Sequence, residues 1–289
     1  MGIYEEIREE LEKLVIPEMP LIDIAETIED HIRNAGYYPA FPVNISINEI
    51  AAHYTPPPQD ETVIKEDDLV KIDFGYHNGD GKVIDNAITI DLSESHKPLL
   101  EAAEKSVKEA ISHIQPGKKV NEISQVIYEV VQSYGLKPIA NLTGHSIEPY
   151  WIHGGVPLPS VPNEVDYEFK EGDRFAVEVF VTYPEGSGYV VDSGEPHIFS
   201  LISLERGIRT HMGRKLLLHI VKEYKTLPFS DRWLVKKFGS KFMVKTGLME
   251  LRKAHLIEAY PPLREEKRTP IAQFELTVEL TSEGAQVVK

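Results

Sequence analysis

Residues 65–73 read Lys-Glu-Asp-Asp-Leu-Val-Lys-Ile-Asp, and residues 170–178 read Lys-Glu-Gly-Asp-Arg-Phe-Ala-Val-Glu. Both stretches begin with Lys-Glu-x-Asp, a polar turn, and continue as an apolar-rich strand that carries a carboxylate, Asp73 in one and Glu178 in the other. Each carboxylate comes eight residues after its lysine, so the two stretches match in register. Because an acid on an apolar strand is costly to bury unless it is paired or holds a metal ion, we expect the functional site around this pair.

The similarity extends upstream of both strands. A histidine lies in a proline-containing loop before each strand, His53 in Ala-Ala-His-Tyr-Thr-Pro and His153 in Trp-Ile-His-Gly-Gly-Val-Pro. Before each loop comes a helix-like run that ends in Gly-x-x-Pro, at residues 36–39 and 135–138. Two diverged copies of one unit predict two half-domains that face each other across a shared site.

The composition is typical of a globular protein. The 289 residues are 42% hydrophobic and 27% charged, enough for one large domain or two smaller ones. The absence of cysteine excludes disulfides, zinc–thiolate sites and cysteine nucleophiles. The N-terminus lacks the features of a secretory signal, and no apolar run reaches the roughly 18 residues of a membrane span. We therefore expect a cytoplasmic protein.

The charge is unevenly distributed along the chain. A net charge of −15 disfavours nucleic acid as a partner for the whole surface. Between Arg206 and Thr246, however, eleven Lys or Arg residues occur with two acids, a local charge of +9, so the remainder carries −15 − 9 = −24. The segment from about residue 206 to residue 262 is helix-rich and unrelated to the repeat, and we interpret it as an insertion.

The hydrophobic periodicity predicts a mixture of helices and strands. Apolar residues at three- and four-residue spacing predict helices at residues 4–14, 20–35, 98–114 and 119–134. Alternating or continuous apolar runs predict strands after Phe41 and at residues 69–76, 82–92, 173–182, 197–202 and 269–280.

Two of these strands are joined by His-Asn-Gly-Asp-Gly, a strong hairpin signal. A turn centred on Gly79 places Asp73 directly opposite Asp85. Like charges at opposed positions destabilise a hairpin, and a divalent cation between them removes this problem. We expect Asp80 to stay on the exposed turn.

Five candidate metal ligands lie on or beside the predicted strands: Asp73, Asp85, His145, Glu178 and Glu275. Four carboxylates and one imidazole form an oxygen-rich set that suits two divalent ions better than a single zinc held by nitrogens. Such a pair of ions lowers the pKa of a bridging water and polarises a substrate carbonyl, which predicts hydrolysis of an amide or ester.

The two loop histidines are not needed as ligands. From corresponding loops, His53 and His153 could donate hydrogen bonds to a scissile carbonyl or to its tetrahedral intermediate. The sequence contains no glycine-rich phosphate loop at a strand–helix junction, and no serine has the surroundings of a hydrolase nucleophile.

Several motifs together resemble the type 2 methionine aminopeptidases of the short archaeal form. They are Ala-Phe-Pro-Val-Asn, Ala-Ala-His-Tyr-Thr-Pro, Lys-Ile-Asp-Phe-Gly, Asn-Leu-Thr-Gly-His, Ala-Val-Glu-Val-Phe, Thr-Leu-Pro-Phe and Ala-Gln-Phe-Glu. The resemblance covers nearly the whole chain. It implies an α+β pita-bread fold with a pseudo-twofold repeat, in which residues 1–205 and 263–289 form the catalytic domain and residues 206–262 form the helical insertion.

The resemblance also implies an activity and the residues that perform it. The enzyme would remove the initiator methionine from new proteins with a small second residue, using two divalent ions (Co, Mn, Fe(II) or Zn) on the five ligands named above. Glu178 would also shuttle the proton of the bridging water. His53 and His153 would contact the substrate and the developing oxyanion, and the methionine pocket would include Phe41, Ile152 and Tyr260.

The sequence departs from the family pattern at a few positions. Leu276 replaces a histidine beside the last ligand, Asn86 follows Asp85 in place of Thr or Cys, and Val179 stands where archaeal relatives often have Pro. The metal hairpin also looks one residue longer. Because no ligand is lost, we expect activity, with a different metal affinity or preference.

Two other functions remain open from the sequence. The first is a catalytically silent pita-bread protein that binds ribosomes or RNA, and the second is a Pro-specific peptidase on the same fold. Docking of the basic insertion on the phosphate-rich surface of the ribosome is a separate hypothesis about partners. We expect the protein to be a monomer.

Overall fold

The computed structural model describes residues 2–289. Its helices are α1 (Ile3–Leu14), α2 (Leu21–Asn34), α3 (Lys97–His113), α4 (Val120–Ser133), α5 (His211–Glu223), α6 (Asp231–Phe238) and α7 (Lys241–Lys253). Its strands are β1 (Tyr38–Pro39), β2 (Asn44–Ile47), β3 (Ile50–Ala52), β4 (Leu69–His77), β5 (Ile84–Asp91), β6 (Lys137–Pro138), β7 (Thr143–Ser146), β8 (Pro157–Pro159), β9 (Arg174–Thr182), β10 (Val190–Asp192), β11 (Ile198–Leu201), β12 (Phe229–Ser230), β13 (Ile257–Tyr260), β14 (Leu263–Glu265), β15 (Ile271–Thr281) and β16 (Gly284–Val287). Within the described residues, no helix is both long enough and apolar enough to cross a membrane.

A ten-stranded antiparallel sheet forms the centre of the molecule. Its strand order is β1-β4-β5-β15-β9-β7-β8, with β2 paired to β4, β6 to β9 and β16 to β15. Alternate side chains of each strand point to opposite faces. On β4, Ile72 and Phe74 enter the main core, which also contains the apolar faces of α1 to α4. Asp73, between them, therefore points to the other face of the sheet.

The predicted repeat is visible in the strand register. In the first half, β1 pairs with β4 so that Pro39 lies opposite Tyr76, three residues after Asp73. In the second half, β6 pairs with β9 so that Pro138 lies opposite Val181, three residues after Glu178. The two halves meet where β15 pairs with both β5 and β9. The mixed helix and sheet content and the two facing halves agree with the predicted α+β fold.

The predicted register of the metal hairpin is wrong by two residues. Asp73 lies opposite Ala87, and Asp85 lies opposite Gly75. The reason is the length of the connection, because strand pairing stops at His77 and resumes at Ile84 rather than closing tightly around Gly79. Asp73 and Asp85 still share one face, as diagonal neighbours rather than as a directly opposed pair. Asp80 is exposed on the connection, as expected.

A second apolar cluster belongs to the helix-rich segment. It is formed by α5, α6 and α7 together with the small sheet β12-β11-β13. Strand β11 belongs to this sheet although it precedes residue 206, and the boundaries at residues 206 and 262 stay a prediction. A buried ion pair connects the segment to the rest of the molecule, because Glu29 on α2 accepts hydrogen bonds from Arg232 on α6 at 2.7 and 3.0 Å.

Candidate active site

A cavity of about 370 Å³ lies on the face of the sheet that carries Asp73. Its lining includes all ten residues that the sequence indicated: Phe41, His53, Asp73, Asp85, His145, Ile152, His153, Glu178, Tyr260 and Glu275. The structure therefore brings the candidate ligands, the two loop histidines and the candidate pocket residues together in one place.

Three of the carboxylates form a row across four neighbouring strands. Asp73 on β4 lies opposite Ala87 on β5, Ala87 lies opposite Glu275 on β15, and Glu275 lies opposite Glu178 on β9. Asp85 lies two residues before Ala87 and therefore points to the same face. The small Ala87 side chain leaves the space between Asp73 and Glu275 to the carboxylates.

His145 completes the group from the short strand β7. One ligand atom each of Asp85, His145 and Glu275 lies within 4.8 Å of the others, and His145 Nε2 is 3.9 Å from Asp85 Oδ2. The preceding Gly144 permits this approach, because a Cβ atom there would be 2.5 Å from the carbonyl oxygen of Ala176 on β9. A larger residue would push β7 and its histidine away from the carboxylates.

Burial determines the charge state of this group. Removal from water raises the pKa of Asp85 to about 7, and burial together with the charge of Asp85 raises the pKa of Glu178 to about 8. The pKa values of Asp73 and Glu275 are also raised well above the ordinary range, by burial first and by neighbouring carboxylates second. Burial lowers the pKa of His145 to about 3, so its imidazole is neutral and has a free lone pair at neutral pH.

The unpaired oxygens of the group fit divalent cations. Asp73 Oδ1, Asp85 Oδ1 and Glu275 Oε1 are buried without a hydrogen-bond partner. Buried carboxylates are normally paired with cations or coordinate metals. Four carboxylates and a neutral imidazole within one cavity are a suitable ligand set for hard or intermediate divalent metal ions.

The two loop histidines lie at different parts of the cavity wall. His53 has a φ of +63°, uncommon for a residue with a side chain, and its ring packs edge-on against Tyr260 with centroids 5.7 Å apart. Burial lowers the pKa of His53 to about 4. His153 is exposed, and its ring centroid is 4.5 Å from that of His145.

The apolar end of the cavity is built from both halves of the chain. Phe41 and Ile152 belong to a small buried cluster that also contains Leu227, which immediately precedes α6 and β12. Phe41 fits there because Gly75 has no side chain, since a Cβ atom at Gly75 would be 2.3 Å from the phenyl ring. The hydroxyl of Tyr260 lies 2.9 Å from Ser200 Oγ, which holds the phenol ring at the edge of the cavity.

Sequence reasoning missed several residues at the site. Gln273 donates a hydrogen bond from Nε2 to Glu178 Oε1 at 2.8 Å, and its position two residues before Glu275 on the same strand face could have revealed it. Asn44, Ile198 and Pro228 also line the cavity. Asn44 and Pro228 lie within motifs that were identified, whereas nothing local in the sequence brings Ile198 to the site.

The departures from the family pattern lie on the other face of the sheet. Leu276 is directly opposite Asn86 on the neighbouring strand, and Val179 and Leu276 both belong to the main core. Asn86 is fully buried, and neither polar atom of its side chain has a hydrogen-bond partner. These residues support the strands that carry the ligands and do not line the cavity.

Comparisons with known proteins identify the relatives of this chain. Residues 1–210 match the model of metallopeptidase family M24. The "Methionine aminopeptidase" of Thermococcus kodakarensis is 42% identical over 99% of this chain and 95% of that protein. The protein of the same name from Methanocaldococcus jannaschii is 41% identical over 99% of this chain and 94% of that protein. "Methionine aminopeptidase 2" of Neurospora crassa is 33% identical over 99% of this chain and 70% of that protein.

Solved structures show the same fold at lower sequence identity. A thermophilic Arx1 superposes with a TM-score of 0.85 at 20% identity, covering 99% of this chain and 87% of that one. The methionine aminopeptidase of Thermotoga maritima superposes with a TM-score of 0.69, also at 20% identity, covering 99% of this chain and 91% of that one. At these identities the similarity concerns the fold, which is the pita-bread architecture expected from the sequence.

Proposed function

The chain belongs to metallopeptidase family M24, among its type 2 methionine aminopeptidases, and we propose that two divalent metal ions bind at its clustered side chains Asp73, Asp85, His145, Glu178 and Glu275. The activity is metal-dependent removal of the initiator methionine from protein N-termini. The observation that carries the assignment of the site is the row of buried carboxylates, whose unpartnered oxygens lie in a cavity of about 370 Å³ beside an apolar recess. When bound, the two ions polarise the scissile carbonyl and lower the pKa of the attacking water.

Glu178 moves protons between the attacking water and the leaving amine. Its carboxylate lies in the row of ligands, and the Gln273 amide holds one of its oxygens at 2.8 Å. This hydrogen bond fixes the orientation of the carboxylate within the row of candidate ligands. Glu178 accepts a proton from water during attack and returns it to the departing amino group as the peptide bond breaks.

His53 and His153 supply hydrogen bonds rather than charge. Because burial lowers the pKa of His53 to about 4, its imidazole is neutral at pH 7 and donates a single N–H. Donors directed at the carbonyl oxygen stabilise the negative charge that develops there in the tetrahedral intermediate. Phe41, Ile152 and Tyr260 form the pocket for the unbranched methionine side chain.

The assignment is tested by hydrolysis of the peptide Met-Ala-Ser. Metal-stripped protein is titrated with Mn, Co, Fe(II) and Zn, and Glu178→Gln is measured at saturating metal with its metal content determined in parallel. We expect metal-dependent release of methionine that the variant loses by a factor of about 10² or more while it remains folded. Absence of release with every metal would favour the silent binding protein, and preferential cleavage of Xaa-Pro peptides would favour the Pro-specific peptidase.

Docking on the ribosome is a further proposal, and contacts within the chain reduce the charge available for it. At least five of the basic side chains in the insertion are already engaged, including Lys222 with Glu223 and Lys245 with Glu195. Arg232 pairs with the buried Glu29, Lys236 lies 3.2 Å from Glu26, and Lys241 donates to the Pro58 carbonyl.

The test of docking therefore uses other lysines. Reversal of charge at Lys215 and Lys237, which are exposed, should weaken co-sedimentation with ribosomes at low salt. Unchanged co-sedimentation of the variant would exclude docking through the insertion. We also propose a cytoplasmic location, which cell fractionation tests, and a monomeric state, which light scattering tests.

A further inference from the structure

One amide side chain in the cavity has an acceptor that nothing in the chain uses. Asn44 on β2 lies directly opposite Asp73 on β4, so the two side chains share a face with Cβ atoms about 4.5–5.5 Å apart. Asn44 lines the cavity and is only 4% exposed. Its Oδ1 atom is buried and has no hydrogen-bond partner.

The orientation of this amide is determined by its neighbour. The Asn44 amide nitrogen Nδ2 donates to the carbonyl oxygen of Pro42 at 2.8 Å. A carbonyl oxygen only accepts hydrogen bonds, so the nitrogen of the amide must face Pro42 and the oxygen must face away from it. The unpartnered atom is therefore an acceptor fixed in place.

Two other amides near the site use their amide nitrogens within the chain. Asn141 also lines the cavity, but its Nδ2 donates to the Val190 carbonyl and its Oδ1 accepts from the Val190 amide, each at 2.9 Å. Gln273 directs its amide nitrogen to Glu178. Asn44 thus differs from both, because its oxygen is buried without a hydrogen-bond partner and lies next to a candidate ligand.

A free acceptor selects a hydrogen-bond donor as its ligand. The scissile carbonyl and the oxyanion that develops from it are acceptors, and the methionine side chain is apolar, so none of these can satisfy Asn44 Oδ1. The substrate groups that donate are the free α-amino group and the backbone N–H groups, and only the α-amino group distinguishes the end of a chain from an internal position. When the only partner of a buried polar group is a group of the substrate, the site discriminates strongly against analogues that lack this substrate group.

We propose that Asn44 Oδ1, beside Asp73, binds the α-amino group of the N-terminal methionine. This inference rests on the proposed function and adds a substrate-binding residue to it. Asn44 makes the free N-terminus a condition for productive binding, so the cavity admits the end of a chain and rejects an internal or acylated methionine.

The experiment compares two ligands that differ only in the amino group. Methioninol and its desamino analogue, the same alcohol without the amino group, are titrated calorimetrically into metal-loaded wild type, Asn44→Leu and Asn44→Asp. The leucine variant removes both the acceptor and the bond to Pro42, whereas the aspartate variant removes the bond to Pro42 and keeps an acceptor. We expect Asn44→Leu to reduce the preference for the amino-bearing ligand about tenfold or more, Asn44→Asp to retain it, and binding of the desamino ligand to stay unchanged.

Other outcomes overturn the inference. Equal loss in both variants would assign the effect to the Pro42 hydrogen bond, and equal weakening of both ligands by Asn44→Leu would assign it to packing. A change in the number or affinity of bound metal ions in Asn44→Leu would make Asn44 a metal-site residue instead. Methionine release from Met-Ala-Ser by the wild type distinguishes a failure of the proposed function from a failure of the inference about Asn44. An inactive wild type refutes the proposed function, and the inference with it.

Discussion

Glu29 and Glu275 are equally buried, each 1% exposed, yet their surroundings are opposite. Both oxygens of Glu29 are used, because the carboxylate accepts from the Arg232 guanidinium, from Trp233 Nε1 at 2.7 Å and from the Val43 amide at 3.2 Å. Glu275 lies opposite another carboxylate, Glu178, and one of its oxygens has no partner. The carboxylate of the structural ion pair is neutralised within the chain, whereas the candidate ligand has an oxygen that no group of the chain satisfies.

The largest effect is expected from removing the partner of the structural carboxylate. Arg232→Ala leaves the buried Glu29 with only the more distant Arg33 guanidinium, 3.9 Å away, which should lower the free energy of unfolding by about 3 kcal/mol. Urea denaturation of metal-free and metal-loaded protein measures this change in the free energy of unfolding. The loss should be similar in both forms, because the Glu29–Arg232 pair is separate from the candidate metal ligands.

The matched control for this prediction removes both charges. Glu29→Gln combined with Arg232→Met should recover much of the lost stability, since an apolar replacement of a buried pair is far less costly than a broken one. A loss below about 1 kcal/mol in Arg232→Ala would mean that the pair contributes little to stability.

The pH dependence of the metal-free protein should reveal the charges of the site. Asp85 and Glu178 have folded-state pKa values of about 7 and about 8, above the values of about 4 in the unfolded chain. The folded state therefore binds more protons, and stability falls as the pH rises from about 4 to about 8, by a few kcal/mol.

Divalent metal should cancel this loss. Thermal unfolding of chelator-treated and Mn-loaded protein between about pH 5 and pH 9 tests the sign, with the gain from metal largest at high pH. If the stability of the metal-free protein increased across this pH range, the result would contradict the unpaired state of the carboxylates.

Opposite responses to the same substitution would sharpen the comparison. Glu275→Gln removes one of four mutually repelling carboxylates, and at about pH 8 it should stabilise the metal-free protein by about 1–2 kcal/mol. Glu29→Gln removes a paired charge and should destabilise it. Denaturant unfolding of the two variants without metal is the measurement, and a loss of stability in both would remove the distinction between the two carboxylates.

The smallest effect is expected from the hydrogen bond that orients Glu178. Gln273→Met keeps the approximate side-chain volume and removes the donor, which should lower kcat about tenfold with little change in KM. Steady-state hydrolysis of Met-Ala-Ser measures both constants. An equal increase in KM without a change in kcat would place Gln273 in substrate binding rather than in the orientation of Glu178.

The repeat explains why so much of the site could be predicted from the sequence. Because the two copies match in register, Asp73 and Glu178 could be located from the amino-acid pattern alone, and the flanking strands supplied Asp85 and Glu275. The register of the hairpin could not be predicted, because two glycines allow several turn lengths and residues distant in sequence, Phe41 over Gly75 and Tyr150 over Gly81, pack on the hairpin.

Pro228, which reaches the site from the helix-rich segment, was not predicted, although Tyr260 of the same segment was. Pro228 lies on the cavity wall just before α6, and α6 is anchored to the catalytic domain by a bond between Glu29 and Arg232, residues 203 positions apart in sequence. No local pattern of apolar or turn residues encodes such a contact. Asn44 was missed for a different reason, since its importance depends on an atom without a partner.

The position of β15 also has a consequence for the order of assembly. This strand, Ile271–Thr281, comes from the end of the chain but lies in the middle of the sheet, between β5 and β9. Until it is inserted, each half-sheet has an open edge at the place where the carboxylate row will form. A ribosome must therefore deliver the chain as far as Thr281 before the two halves can close, so the enzyme can process other newborn chains only after its own β15 has emerged.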